Sequence, residues 1–360
     1  MEDDVTGCLG CVVEKGRPAA ARERHAPGGR SILAVVLMVW MVWMVWVQGG
    51  RAQELFEGAE EMIPFPVESS YVRGLRFLAQ TQKPDGSWSD GMGSQPAVVA
   101  FAVLSMLAHG EDPNLGPYSV PIKKGLGFIL DKQNKSSGYI GSSMYNHGFA
   151  TLALAEAYGM VDDDRLGPAL VEAVKLILNS QARNPLGAWR YSPTSQDADS
   201  TVSGAQMVAL YAARNAGIAV PEEALEKGLR FFLNCQSGDG GIGYTNPGGS
   251  NGPRTAIGAL VFALAKKKST DSYKAMMGFL NQGNDSGGNY YHYFLYYASQ
   301  SYFHASERLW EEWNRINLRV LQSTQNEDGS WESNYGATFG TACSLLSIAL
   351  NYRYLPIYER

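Results

Sequence analysis

Three short segments hold side chains whose types and spacing suit chemistry. Ser195-Gln196-Asp197-Ala198-Asp199-Ser200-Thr201 sets two carboxylates two residues apart, just before an apolar stretch. A carboxylate in that place has two uses. It caps the helix that follows, whose N-terminal dipole keeps it ionised. Alternatively, desolvated beside a second carboxylate, it retains a proton and serves as a general acid. Asn289-Tyr290-Tyr291-His292-Tyr293-Phe294-Leu295-Tyr296-Tyr297 carries one imidazole in a run of aromatics. Such tyrosine faces pack an apolar chain or stabilise a cation, and at helical spacing they equally build an aromatic core. Met144-Tyr145-Asn146-His147-Gly148 places His147 at the start of another apolar stretch. There it either satisfies local backbone or reaches the Asp199 carboxylate across neighbouring helices.

The elements that must position these residues come from a repeat. Arg73-Gly74-x-x-Phe77-Leu78-x-x-x-Gln82-x-x-x-Gly86-x-Trp88 recurs as Lys124-Gly125-x-x-Phe128-Ile129-x-x-x-Gln133 with Gly138-Tyr139. Further copies run to Gln181 with Gly187-x-Trp189, to Gln236 with Gly241-x-Gly243-Tyr244, and to Gln325 with Gly329-x-Trp331. A degenerate copy surrounds Gln282. The period of about 49 residues marks a repeat architecture in which each unit buries its face on its neighbours. Before each Gln the apolar residues follow the spacing of an amphipathic helix, as in Ala224-Leu225-x-x-x-Leu229-x-x-Phe232-Leu233. After each aromatic comes a glycine-rich turn and then a helix apolar on nearly every side, which must be buried on every side. Six alternations of the two kinds predict an all-α (α/α)6 toroid of twelve helices, with the inner helices beginning around one end of a central cavity. The repeat Gln and Trp are expected to be structural: the amide satisfies backbone at the end of the outer helix, and the aromatic stacks over the next turn.

The repeat resembles the QW motif of the squalene and oxidosqualene cyclases, shared in looser form with protein prenyltransferase β subunits, and the resemblance covers residues 66–360. It implies the toroid fold directly and the reaction only indirectly. Asp197, Asp199 and Thr201 match the Asp-x-Asp-Asp-Thr acid motif with which such cyclases protonate an alkene, while Ser200 stands where that motif has its last carboxylate. The resemblance therefore implies Asp199 as proton donor, with Asp197 and His147 tuning it. Tyr145, Trp189, Tyr291, His292 and Tyr296 are the expected ligand contacts. His292 also matches the zinc-binding histidine of the prenyltransferases, but their companion Asp-x-Cys is missing, and one imidazole among carboxylates is a poor zinc site. No cofactor is expected. Against the cyclase activity stands length, because squalene-type cyclases resemble two toroids with the cavity between them.

The first 52 residues are read apart from the toroid, and 53–65 as a linker. Residues 31–47 form an apolar run preceded by Arg22, Arg24 and Arg30 and followed by Gly50 and Ala52, which reads as an export signal cut before Gln53 or as an uncleaved membrane anchor. Export to the periplasm or beyond follows from the first reading, membrane association from the second. The whole chain of 360 residues has 40 glycines and a formal charge of −5, which argues against nucleic acid as a partner. Three functions remain open on the sequence. One is an exported toroid that binds or acts on an isoprenoid by acid-initiated chemistry. The second is a non-catalytic toroid binding a lipid, peptide or protein. The third is a carbohydrate-active barrel, which requires two facing carboxylates.

Overall fold

The computed structural model describes residues 63–359, apart from 90, 92 and 284–286. The apolar run at 31–47, the segment 1–52 and the linker up to residue 62 lie outside the described residues. Among the described residues the chain is helical, without strands, and its helices alternate in kind. The outer set is α1 (Phe65–Thr81), α3 (Ser119–Asp131), α5 (Leu166–Arg183), α7 (Glu222–Asn234), α9 (Asp271–Asn281) and α11 (Glu307–Thr324). The inner set is α2 (Pro96–Leu107), α4 (Met144–Ala157), α6 (Ser200–Asn215), α8 (Gly252–Leu264), α10 (Tyr291–Ala305) and α12 (Ala337–Ala349). In α7 only the stripe Ala224, Leu225, Gly228, Leu229, Phe231 and Phe232 is buried, whereas in α2 every residue but Ala97 is. Each inner helix packs on the inner helices before and after it, and α12 packs back on α2, so the inner ring closes. This is the (α/α)6 toroid that the sequence predicts.

The repeat motif has a different mechanical role from the one expected. The Gln82 amide donates to the Gly86 carbonyl of its own turn at 3.1 Å and to the Pro121 carbonyl, in the first turn of the next outer helix, at 2.9 Å. Gln133, Gln181 and Gln236 repeat the pair onto Ala169, Ala224 and Ser272. Gln325 completes it on Ser70 of α1 at 2.9 Å. The glutamine is thus a staple between neighbouring repeats. The tryptophan instead ties its turn to the last turns of the outer helix: the Trp88, Trp189 and Trp331 indole N–H groups donate to the Leu78, Ile177 and Leu321 carbonyls at 2.8–2.9 Å, of which Leu78 and Leu321 are among the last four that the helix leaves without a backbone N–H.

The aromatic slot is also filled differently in two repeats. Ile140 and Ile242, both fully buried two residues after a glycine at positive φ, occupy the place assigned to Tyr139 and Tyr244. The turn glycine of the fourth repeat is accordingly Gly240, not Gly241, with φ +88°. At Gly86 (φ +86°) a Cβ would stand 2.1 Å from the Lys124 carbonyl oxygen, so the turn tolerates no side chain. On the far side of the ring the C-terminal turn Pro356–Tyr358 buries Ile357 and Tyr358 and packs on α6. No helix among the described residues is long and apolar enough to cross a membrane.

Candidate functional site

The N-termini of the inner helices surround a cavity of about 720 Å³. Its deep part is apolar and aromatic. Phe101 of α2 meets Phe149 of α4 with ring centroids 4.4 Å apart and Phe339 of α12 edge-on at 5.6 Å, while Tyr293 of α10 stands edge-on to Phe149. Its rim is polar, formed by Gln95, Asn146, Asn251, Arg254, Tyr191 and Tyr244. These rim groups belong to helix starts and the loops that feed them. Asn146 ties two of those starts together, donating to Gln95 at 2.8 Å and accepting from the Ala97 amide at 3.1 Å.

Asp199 is the N-cap of α6, the place that Ser143 takes in α4 and Asn251 in α8. Its Oδ1 accepts from the Thr201 amide at 2.9 Å, the Val202 amide at 2.8 Å and the Thr201 hydroxyl at 2.6 Å. Oδ2 is buried and faces Arg190 Nε at 3.6 Å. The side chain is fully shielded from solvent. Burial raises its carboxyl above the ordinary value, opposed by the Thr201 hydroxyl, the Val202 amide and the Arg190 charge. Asp199 does not line the cavity; Thr201 does, and the Thr201 hydroxyl is itself hydrogen-bonded to the Tyr145 hydroxyl. Asp197 lies 3.6 Å from Arg190, with its side chain 67% exposed. The guanidinium joins the pair while lying over the rings of Tyr191 and Tyr244, 5.1 Å from each centroid. Ser200 has a clear use: its hydroxyl donates to the Gly243 carbonyl at 2.8 Å, which the carboxylate of the acid motif could not do when ionised.

His147 is not placed beside the Asp199 carboxylate. It is fully buried, accepts the Ile140 amide on Nδ1 at 3.1 Å and therefore donates from Nε2 to the Ala173 carbonyl at 3.0 Å. The equivalent service to the residue in the aromatic slot is done by Ser203 for Trp189 and by Thr255 for Ile242. Burial lowers the His147 pKa to about 4, so the ring is neutral. Trp189 is likewise core, with its indole spent on Ile177.

In the aromatic run the register differs from the expected one. Tyr290 and Tyr293 line the cavity; Tyr296 is buried behind it, edge-on to Phe101 at 4.9 Å. Tyr291 and His292 are half-buried, edge-on to each other at 5.3 Å, and do not line the cavity. Burial lowers the His292 pKa to about 4. Among the described residues no three His, Cys, Asp or Glu side chains come together in a way that could hold a metal ion. Of the expected contacts, Tyr145 alone lines the cavity. Phe101, Phe149, Phe339, Arg190 and the rim amides were not anticipated, although Phe101 and Phe149 both stand six residues after their N-caps, an equivalence that alignment on the caps exposes.

No family model and no curated protein matches the chain. Solved structures do. The type II terpene cyclase MstE from Scytonema, in complex with merosterolic acid A (product), is 14% identical with a TM-score of 0.57, the match covering 81% of this chain and 98% of that one. A second structure of that cyclase, in complex with geranylgeranyl dihydroxybenzoate (substrate), matches at the same values. The GH76A alpha-1,6-mannanase from Salegentibacter sp. HEL1_6 is 11% identical with a TM-score of 0.60, covering 79% of this chain and 98% of that one. At such identities the likeness is one of fold, and the chain has the α/α toroid that the terpene cyclase superfamily shares with these glycoside hydrolases.

Proposed function

We propose that the toroid binds an amphipathic ligand with an isoprenoid-like apolar body, its polar end held at the rim. The observation that carries this reading is the division of the cavity into an aromatic floor at Phe101, Phe149 and Phe339 and a rim of amides, tyrosines and arginine. Branched hydrocarbon fills such a floor with dispersion contacts and loses its hydrated surface at about 25 cal/mol per Å². The complex of the cyclase neighbour with a geranylgeranyl compound supports this ligand class. The carbohydrate reading is weaker, because among the described residues no carboxylate lines the cavity.

Acid-initiated chemistry at Asp199 is the second and weaker reading: complete burial raises its carboxyl, but the side chain stands behind Thr201 and does not itself line the cavity. Mass spectrometry of lipids co-purified with the full chain, beside the Phe149→Arg variant, tests the first reading. A terpenoid or similar apolar ligand is expected with the wild-type protein and is lost from the variant; recovery of none from either overturns it. Supplying geranylgeraniol or squalene and searching for cyclised product, with Asp199→Asn as control, tests the second.

A further inference from the structure

The hydrogen bonds around Asp199 fix the direction of a short hydroxyl chain that ends in the cavity. Oδ1 of Asp199 receives three donors, and two of them, the Thr201 and Val202 amides, cannot reverse. An oxygen held that way stays an acceptor in either protonation state, since a proton on it would point at an N–H; any proton the carboxyl takes sits on Oδ2. The single proton of the Thr201 hydroxyl is therefore committed to Oδ1, over 2.6 Å. That leaves Thr201 Oγ1 as an acceptor, so in the hydrogen bond between the two hydroxyls Tyr145 is the donor. Both hydroxyl-bearing residues line the cavity. Tyr145 keeps its phenolic proton, because burial and the nearby Asp199 charge hold its pKa well above the usual value.

We propose that Tyr145 offers the cavity only oxygen lone pairs and so selects ligands that bring a hydrogen-bond donor, an alcohol or phenol, over those whose polar end can only accept. This rests on the ligand-binding reading above and deepens it by naming the polar chemistry of the ligand. It also gives Thr201 a positioning role: by taking the Tyr145 proton it turns an amphoteric phenol into an acceptor. A relay carrying a proton from Asp199 outward through Thr201 would need both hydroxyls turned around, and the two fixed amides on Oδ1 oppose that.

The test compares farnesol with farnesyl methyl ether, which replaces the hydroxyl donor with a methoxy group, by titration calorimetry on the full chain. The extra methyl of the ether adds apolar surface and favours the ether, so a preference for the alcohol runs against that bias. The wild-type protein is expected to bind farnesol about tenfold tighter, the worth of one buried hydrogen bond. Tyr145→Phe is expected to bring the ratio to within about twofold by weakening the alcohol. Thr201→Val frees the Tyr145 proton and is expected to reach the same ratio by strengthening the ether. A wild-type ratio near one, or a preference that survives Tyr145→Phe, overturns the proposal and leaves the cavity reading standing. An ether affinity unmoved by Thr201→Val overturns the positioning role and with it the proposal. Binding of neither ligand to the wild-type protein overturns the cavity reading, and the proposal falls with it.

Discussion

Two buried carboxylates, Asp199 and Glu156, solve the same problem in opposite ways. Asp199 gathers three donors on one oxygen, so its main contribution is the start of α6. Asp199→Ala removes the acceptor and is expected to cost about 1–2 kcal/mol in urea unfolding, whereas Asp199→Asn keeps an oxygen facing both amides and stays within about 1 kcal/mol of wild type. Equal losses in the two variants would mean that charge, not capping, matters there. Glu156, fully buried near the end of α4, has only the Ile357 amide on Oε2 at 3.3 Å, and burial pushes its pKa from 4.5 to about 8. In the folded state it keeps its proton where the unfolded chain has lost it. Stability therefore falls as pH rises from 4.5 to 8 and levels off above. Glu156→Gln is expected to flatten that fall, roughly 3 kcal/mol of it, when unfolding is followed at pH 5 and pH 8.5. Neither environment can be read in the sequence. An Asp before a helix and a Glu inside one look ordinary until the packing shows what surrounds them, and the same is true of His147, whose two partners come from Ile140 and from another helix.

At the scale of elements the sequence was far more legible, because burial repeats every helical turn and the turn residues repeat every unit. Outer and inner helices, their order and their number all follow from amphipathic against wholly apolar periodicity. The register of the cavity did not follow, for a related reason. A run such as Tyr290 to Tyr297 is aromatic on all sides, so periodicity cannot say which tyrosine faces the ligand. Packing against α8 and α12 sets Tyr293 inward and leaves Tyr291 aside. The stapling glutamines were visible as a motif but not as a mechanism, since their second acceptors lie 36–43 residues ahead in the repeats at Gln133, Gln181 and Gln236. Gln325→Leu removes both bonds of the staple that joins the last repeat to Ser70, leaving two carbonyls short of a donor at a partly buried site. Its expected cost in denaturant unfolding is about 1–3 kcal/mol. A change below a few tenths would show that water replaces the amide freely.

The whole molecule differs from an open stack of repeats in having no terminal unit among the twelve helices. In a linear array the end repeats touch one neighbour and fray first. Here α12 packs on α2, α11 packs on α1, Gln325 bonds Ser70, and the Arg73 guanidinium donates to the Asn326 carbonyl at 2.7 Å. The first and last repeats thus have two neighbours each, and opening either exposes inner-helix surface that is buried on nearly every side, as in α2 and α12. Local fraying at the closure is therefore as costly as opening anywhere else in the ring. Native-state hydrogen exchange followed by mass spectrometry checks this directly. Amides in the middle of α2 and α12 are expected to exchange within about tenfold of those in α6 and α8, all through one cooperative opening. Exchange of α2 and α12 a hundredfold faster than α6 would show a ring that is closed in contact but not in free energy. In that case the cavity, which takes Phe101 from one side of the seam and Phe339 from the other, would open along it.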